Sequence, residues 1–184
     1  MNFPNFLTCS RVVMAVFFSI CLFSPEPFGK LWALFYFVLA SLTDYWDGVI
    51  ARRMHTESRF GKLMDPIADK LLTVSAFVNF WVLRLVPGWM VAVILVRDAT
   101  VTLARFFVEG QKGREGARVR GKQKTFLQIV FIIGVLLYLI AREQNGWNVA
   151  YDVRALRIIY FGMLAVVIMT LWSGLDVLRA GGNK

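Results

Sequence analysis

Six runs of about twenty largely apolar residues dominate the chain, and that is the length a helix needs to cross the hydrocarbon of a bilayer. They fall near residues 6–23, 31–51, 66–86, 89–108, 125–141 and 156–178. With 58% hydrophobic residues, 15% aromatic residues and a mean hydropathy of +0.59 over 184 residues, the chain lies outside the range of a soluble domain. A soluble bundle with an apolar core is the weaker alternative, because its helices do not need runs of this length. The expected architecture is all-α: a polytopic membrane protein with six transmembrane helices. No repeat, low-complexity tract or long linker divides it, so residues 1–184 are read as a single domain.

Cationic residues orient the spans, since Lys and Arg in short loops stay on the cytoplasmic side. Arg52, Arg53, Arg59 and Lys62 follow the second span, and Arg105, Lys112, Arg114, Arg118, Arg120, Lys122 and Lys124 follow the fourth, eleven cations in all. The loops after spans one, three and five hold only Lys30, Arg84, Arg142, Arg154 and Arg157. Both termini are therefore expected in the cytoplasm. The formal charge of +9 then gathers on one membrane face, where anionic headgroups and phosphorylated substrates are attracted. Nucleic acid is not the expected partner, because these residues sit at span ends. Cys9 and Cys21 fall in one apolar span without metal-ligand spacing and read as small apolar residues. The first run contains Arg11 and lacks a small-residue cleavage site, so it reads as a retained span.

The stretch from Asp44 to Asp69 carries the chemistry. A carboxylate in a membrane helix costs about 2.5–3.5 kcal/mol, so four of them here demand a shared compensation. Asp44 and Asp47 are three residues apart, and Asp65 and Asp69 four, spacings that put each pair on one helix face. Two facing helices then offer an oxygen-only cluster suited to Mg²⁺, Mn²⁺ or Ca²⁺. Gly48 and Ala51 continue the first stripe and Gly61 begins the second, leaving room for a bulky ligand, and Arg52 is placed to reach a phosphate. Taken singly, the acids could pair with Arg52 or Lys70 and the small residues could serve helix packing. Their joint placement on converging stripes favours a metal-bound pyrophosphate site.

These residues resemble the signature of the CDP-alcohol phosphotransferases, D-x-x-D-G-x-x-A-R, eight residues, then G-x-x-x-D-x-x-x-D. Asp44, Asp47, Gly48, Ala51, Arg52, Gly61, Asp65 and Asp69 match at every defined position. The resemblance implies two Mg²⁺ (or Mn²⁺) ions held by Asp44, Asp47, Asp65 and Asp69, with Asp69 a ligand or the catalytic base. It further implies CDP-diacylglycerol as donor, with Gly48, Ala51, Arg52 and Gly61 bordering the nucleotide. The first span would add a wall: Asn5, Thr8 and Arg11 recur every three residues as one polar edge, for which an interfacial anchor is the alternative role. A homodimer through the later spans is implied too.

Two further segments, Arg97-Asp98 with Arg105 and Gly121 to Thr125 with Gln128, look like those of bacterial family members whose acceptor is glycerol 3-phosphate. An ionisable residue such as Arg97 inside a span is expensive and points to function. Arg105, Lys122 and Lys124 are the candidates for gripping the acceptor phosphate, with Arg97 held by Asp98 or by a metal-site carboxylate. The arginine-rich stretch from Arg114 to Arg120 departs from that subgroup, which leaves cardiolipin synthesis or an inositol-phosphate acceptor as alternatives within the family. The expected activity is phosphatidyl transfer to glycerol 3-phosphate in phospholipid biosynthesis, at the inner (cytoplasmic) membrane and with the active site facing the cytoplasm. A cation channel or transporter is the rival from another class, but its acids would lie at several depths along a pore.

The aromatic residues read as lipid-facing and interfacial belts, and Gly134, Gly162 and Gly174 as sites of close helix contact. The charge asymmetry makes a direct prediction: reporter domains fused to the N-terminus and to the C-terminus should both report from the cytoplasm. A periplasmic signal from either end would mean an odd number of spans.

Overall fold

The computed structural model describes the backbone of residues 3–54, 59–107, 115–145 and 149–182, and side chains within 10–43, 70–102, 123–144 and 152–174. Those residues form six α-helices: α1 (Phe3–Phe23), α2 (Gly29–Met54), α3 (Arg59–Val82), α4 (Gly88–Phe107), α5 (Glu115–Asn145) and α6 (Val149–Gly182). Each expected span lies on its own helix, but most helices outrun the apolar run that announced them. Apolarity marks the part that can lie in hydrocarbon, whereas helix formation needs only internal hydrogen bonds and tolerates polar residues beyond it. Thus α3 begins at Arg59 and runs through Pro66, and α5 begins at Glu115. Arg118, Arg120, Lys122 and Lys124 accordingly stand on a helix and not in a loop.

The chain divides into two compact units, one made of Met1–Asn79 with Ile133–Trp147, the other of Phe80–Ile132 with Asn148–Lys184. In the first, α1 and α2 form a tight helical hairpin. The amide of Gly29 donates to the carbonyl of Glu26 at 2.9 Å, and a Cβ at Gly29 would stand 2.8 Å from the carbonyl oxygen of Cys21, so the turn needs glycine. Ala15, Phe18 and Leu22 line the inward stripe of α1, facing Ala33, Phe37 and Ala40 of α2. The rings of Phe18 and Phe37 meet at 5.7 Å, and Phe17 stacks on Tyr36 at 5.6 Å. α3 joins through a polar link: Asn79 Nδ2 donates to Ser19 Oγ at 2.9 Å, and Ser19 donates to the Ala15 carbonyl at 3.0 Å. Lys30 and Glu143 pair at 2.7 Å, tying the start of α2 to the end of α5. With side-chain exposures of 23% and 25%, that pair contributes about 0–1 kcal/mol.

In the second unit, α4 presents Met90, Val91, Ile94, Asp98 and Val101 inward, and α6 presents Met163, Val166, Val167, Thr170 and Ser173. A Cβ at Gly162 would lie 3.0 Å from the Phe131 ring, so α5 and α6 do approach closely there. Gly134 is different, with nothing within 4 Å of its Cβ position. The expectation of a contact there fails because the glycine is exposed. The aromatic belt is also only part of the picture. Trp32, Trp89, Trp172 and Phe126 are exposed, yet Phe18, Phe37, Phe77 and Phe80 are among the most buried side chains.

Large apolar residues such as Phe28, Val96, Phe126, Ile158 and Trp172 cover the outward faces as well. Helices apolar both inside and outside suit a lipid solvent and not water. Among the described residues, Gln123–Gln144 and Asp152–Gly174 are long and apolar enough to cross a membrane, and Ser10–Phe23, Gly29–Thr43 and Lys70–Val82 are shorter apolar stretches.

The third apolar run does not continue to residue 86. α3 stops at Val82, where Arg84 takes a φ of 58°, its amide bonds to the Trp81 carbonyl at 2.8 Å, and the Leu85 amide bonds to the Phe80 carbonyl at 2.9 Å. This double closure is a Schellman motif, with arginine in the left-handed position that usually holds glycine. Leu85 and Val86 bury themselves in the turn, which is why their hydropathy imitates a longer span. Arg84→Gly should raise stability by roughly 0.5–1 kcal/mol, the left-handed cost relieved less the added chain entropy of glycine. Thermal unfolding in detergent reads this as a higher midpoint, and a lower one would show that the arginine side chain holds the turn.

Candidate active site

The eight signature residues lie on two helices of the first unit. Asp44, Asp47, Gly48, Ala51 and Arg52 occupy the last three turns of α2, and Gly61, Asp65 and Asp69 the first three of α3. Their side chains lie outside the described residues, as do those of Asn5 and Thr8 on α1. The helical backbone nonetheless secures what the spacing required. Asp44 and Asp47 share a face of a continuous α-helix, and so do Asp65 and Asp69. Pro66, next to Asp65 inside α3, has no amide hydrogen to give the carbonyl of residue 62, so the helix lacks one hydrogen bond there.

Packing elsewhere in the unit fixes the levels of these segments. In the antiparallel hairpin the pairs Phe17/Tyr36 and Phe18/Phe37 set the register of α1 against α2, and following it back brings Arg11 to the level of Thr43 and Asp44. The Asn79–Ser19 bond ties α3 to α1. Arg11, read from sequence as one end of a polar edge or as an interfacial anchor, is only 6% exposed and lies on the inward stripe with Ala15 and Phe18. Four carboxylates on two helices are a hard-oxygen donor set, and they fit Mg²⁺ or Mn²⁺.

A second polar cluster lies in the second unit. Arg105 stands near the end of α4 and Lys122 on α5, with side chains outside the described residues. Lys124 is buried and its ammonium bonds to Asp98 Oδ1. Arg97 Nη1 donates to the same oxygen at 2.9 Å, so of the two partners expected for Arg97 the structure gives Asp98. Arg97 Nη2 donates to Ser173 Oγ on α6 at 3.0 Å, and Thr102 Oγ1 donates to the Asp98 carbonyl at 2.7 Å. The link from Asp98 to Lys124 spans 26 residues of sequence. Periodicity cannot reveal such a link. The one available signal was an acid inside an apolar run, read only as a neighbour for Arg97. Ser173 gave no signal at all.

The six-helix fold, apolar on its outward faces as well as in its core, is that of a helical membrane protein. Residues 1–172 match the CDP-alcohol phosphatidyltransferase family, and the chain belongs to it. Several curated bacterial proteins are similar to it. The CDP-diacylglycerol–glycerol-3-phosphate 3-phosphatidyltransferase of Bacillus subtilis is 34% identical over 149 residues, covering 74% of this chain and 77% of that protein. The protein of the same name from Escherichia coli K12 is 31% identical over 187 residues, covering 97% and 94%. That of Rickettsia bellii is 34% identical over 150 residues, covering 82% and 80%.

Gly174 frames the second cluster, because a Cβ there would stand 2.9 Å from Arg97 Nε. Gly174→Ala should displace the guanidinium from Ser173 and destabilise the protein by about 1–3 kcal/mol. Gly134→Ala, facing open space, should gain up to about 1 kcal/mol of helix propensity. Thermal unfolding of the two variants tests the contrast, and equal shifts would mean that Arg97 yields without cost.

Proposed function

We propose that the chain transfers the phosphatidyl group of CDP-diacylglycerol to the hydroxyl of glycerol 3-phosphate, giving phosphatidylglycerophosphate and CMP. The observation that carries this reading is the complete signature on α2 and α3 of a chain that belongs to the family. The printed names of its bacterial relatives point to the same donor and acceptor.

Asp44, Asp47, Asp65 and Asp69 would hold two Mg²⁺ or Mn²⁺ ions, which when bound neutralise the pyrophosphate and polarise the reacting phosphorus. Asn5, Thr8, Gly48, Ala51, Arg52 and Gly61 border the CDP moiety, the small residues admitting it and Arg52 offering a bidentate partner to phosphate oxygens. Arg105, Lys122 and Lys124 hold the acceptor's phosphomonoester. Asp69 takes the proton of the acceptor hydroxyl. The oxygen then forms its bond to the phosphorus bearing the lipid, while the bond to CMP breaks and CMP leaves with the electron pair. The chain acts in this reading as one domain with six membrane-crossing helices, both termini and the active site on the cytoplasmic side of the inner membrane, and pairs as a homodimer.

CMP release by the purified protein, with CDP-diacylglycerol and Mg²⁺ in detergent, tests the reading. Glycerol 3-phosphate should support turnover over inositol phosphate, phosphatidylglycerol, serine or no acceptor. Asp65→Asn should lower the rate by at least about 10²-fold, the scale of losing a group that stabilises transition-state charge. Turnover with another acceptor would change the product and keep the chemistry. Full activity of Asp65→Asn would remove the site.

A further inference from the structure

The second unit buries more charge than an ion pair needs. Arg97, Asp98 and Lys124 have side-chain exposures of 12%, 11% and 7%, on α4 and α5. One oxygen, Asp98 Oδ1, accepts from both Arg97 Nη1 and the Lys124 ammonium. Taking each charge out of water costs several kcal/mol on an order-of-magnitude scale, so the bonds these side chains make to one another hold them in place. Here two cations converge on a single acceptor atom.

The surroundings add donors. Gln128 lies one turn beyond Lys124 on the same face of α5, is 3% exposed, and its Nε2 has no hydrogen-bond partner. Thr170 lies one turn before Ser173 and Gly174 on α6, is fully buried, and its Oγ1 has none either. Arg97 Nε is likewise unpartnered. Buried polar atoms are nearly always satisfied, so these unmatched atoms on α4, α5 and α6 keep the capacity to bond the oxygens of a ligand. Ser173 and Thr102 brace it, the first by accepting from Arg97 and the second by bonding the Asp98 carbonyl.

We propose that Asp98 is a positioning residue of the acceptor pocket: through one carboxylate oxygen it fixes Lys124 and Arg97 as a preset pair of cations against which the acceptor's phosphomonoester is held. This rests on the reading above that Lys124 contacts that phosphate. A lysine ammonium on a four-carbon stem is a mobile point charge, and anchoring it beforehand removes the ordering cost from substrate binding. Arg97, clamped between Asp98 and Ser173, gives the pocket a fixed positive wall that does not itself have to move.

Steady-state kinetics of Asp98→Asn and Asp98→Glu, varying glycerol 3-phosphate and CDP-diacylglycerol separately, test the proposal alongside thermal unfolding. Asp98→Asn should raise the KM for glycerol 3-phosphate by about tenfold or more, the scale of one charge-assisted contact. It should leave the KM for CDP-diacylglycerol within about twofold and lower kcat by less than the acceptor KM rises. Asp98→Glu should recover most of the loss, and Asp98→Asn should add little in a Lys124→Gln background, since both act on one contact. A merely structural carboxylate would move both KM values together, or only the unfolding midpoint, and either result overturns the proposal. If Asp98→Asn does not fold, Ser173→Ala takes its place, and an unchanged acceptor KM there overturns it equally. Wild-type protein that turns over no phosphomonoester would remove the functional reading itself. Normal turnover with an acceptor KM indifferent to Asp98 would remove only the positioning role.

Discussion

Charge inside hydrocarbon must be answered by charge, and this one requirement organises the molecule. An ionised side chain at the centre of a membrane helix costs about 2.5–3.5 kcal/mol on insertion scales, yet the apolar helices of this chain carry four aspartates on α2 and α3, and Arg97, Asp98 and Lys124 on α4 and α5. The two groups meet the requirement differently. The cluster of the second unit is compensated largely within itself, by a shared carboxylate oxygen and a serine hydroxyl. The acids of the first unit share α2 and α3 with Arg52, Arg53, Arg59, Lys62 and Lys70, and four carboxylates on two helices are a donor set that divalent metal fits.

The rest of the packing serves these charges. The α1–α2 hairpin closes on Phe18 and Phe37 with Gly29 at its turn, which sets the register that brings Arg11 to the level of Asp44. The Asn79–Ser19 bond ties α3 to α1. In a lipid solvent, where apolar burial scarcely drives helices together, such close contacts and interhelical hydrogen bonds hold the association. In the second unit Gly174 makes room for the Arg97 guanidinium. The glycines of α5 and α6 therefore differ in purpose: Gly174 admits a cation, Gly162 admits a ring and Gly134 admits nothing.

The sequence made the helix count and the placing of the paired acids on helices legible for the same reason: both follow from local spacing. A run of about twenty apolar residues has one economical solution in a bilayer, and acids three or four residues apart on a helix share a face whatever surrounds them. Helix ends were not legible. The turns from Arg59 to Asp65 and from Glu115 to Gln123 are polar, so a hydropathy criterion stops short of them, although the helices do not. The end of α3 was hidden for the opposite reason, since Leu85 and Val86 are apolar but fold into a turn that an arginine makes with a positive φ. The aromatic residues split between lipid face and core, and composition alone gives no means of assigning Phe18 to one and Phe17 to the other.

The Asp98 contacts mark the boundary of that kind of reading, because they depend on which helices neighbour one another. Lys124 taken alone is one of eleven cations in two basic loops, and the positive-inside rule explains it without function. Once its ammonium is seen buried on the oxygen that also receives Arg97, that explanation fails, because an orienting lysine gains nothing by leaving the interface. Burial and a shared counter-ion, and not charge or position in the chain, therefore separate a cation retained for binding from one retained for topology.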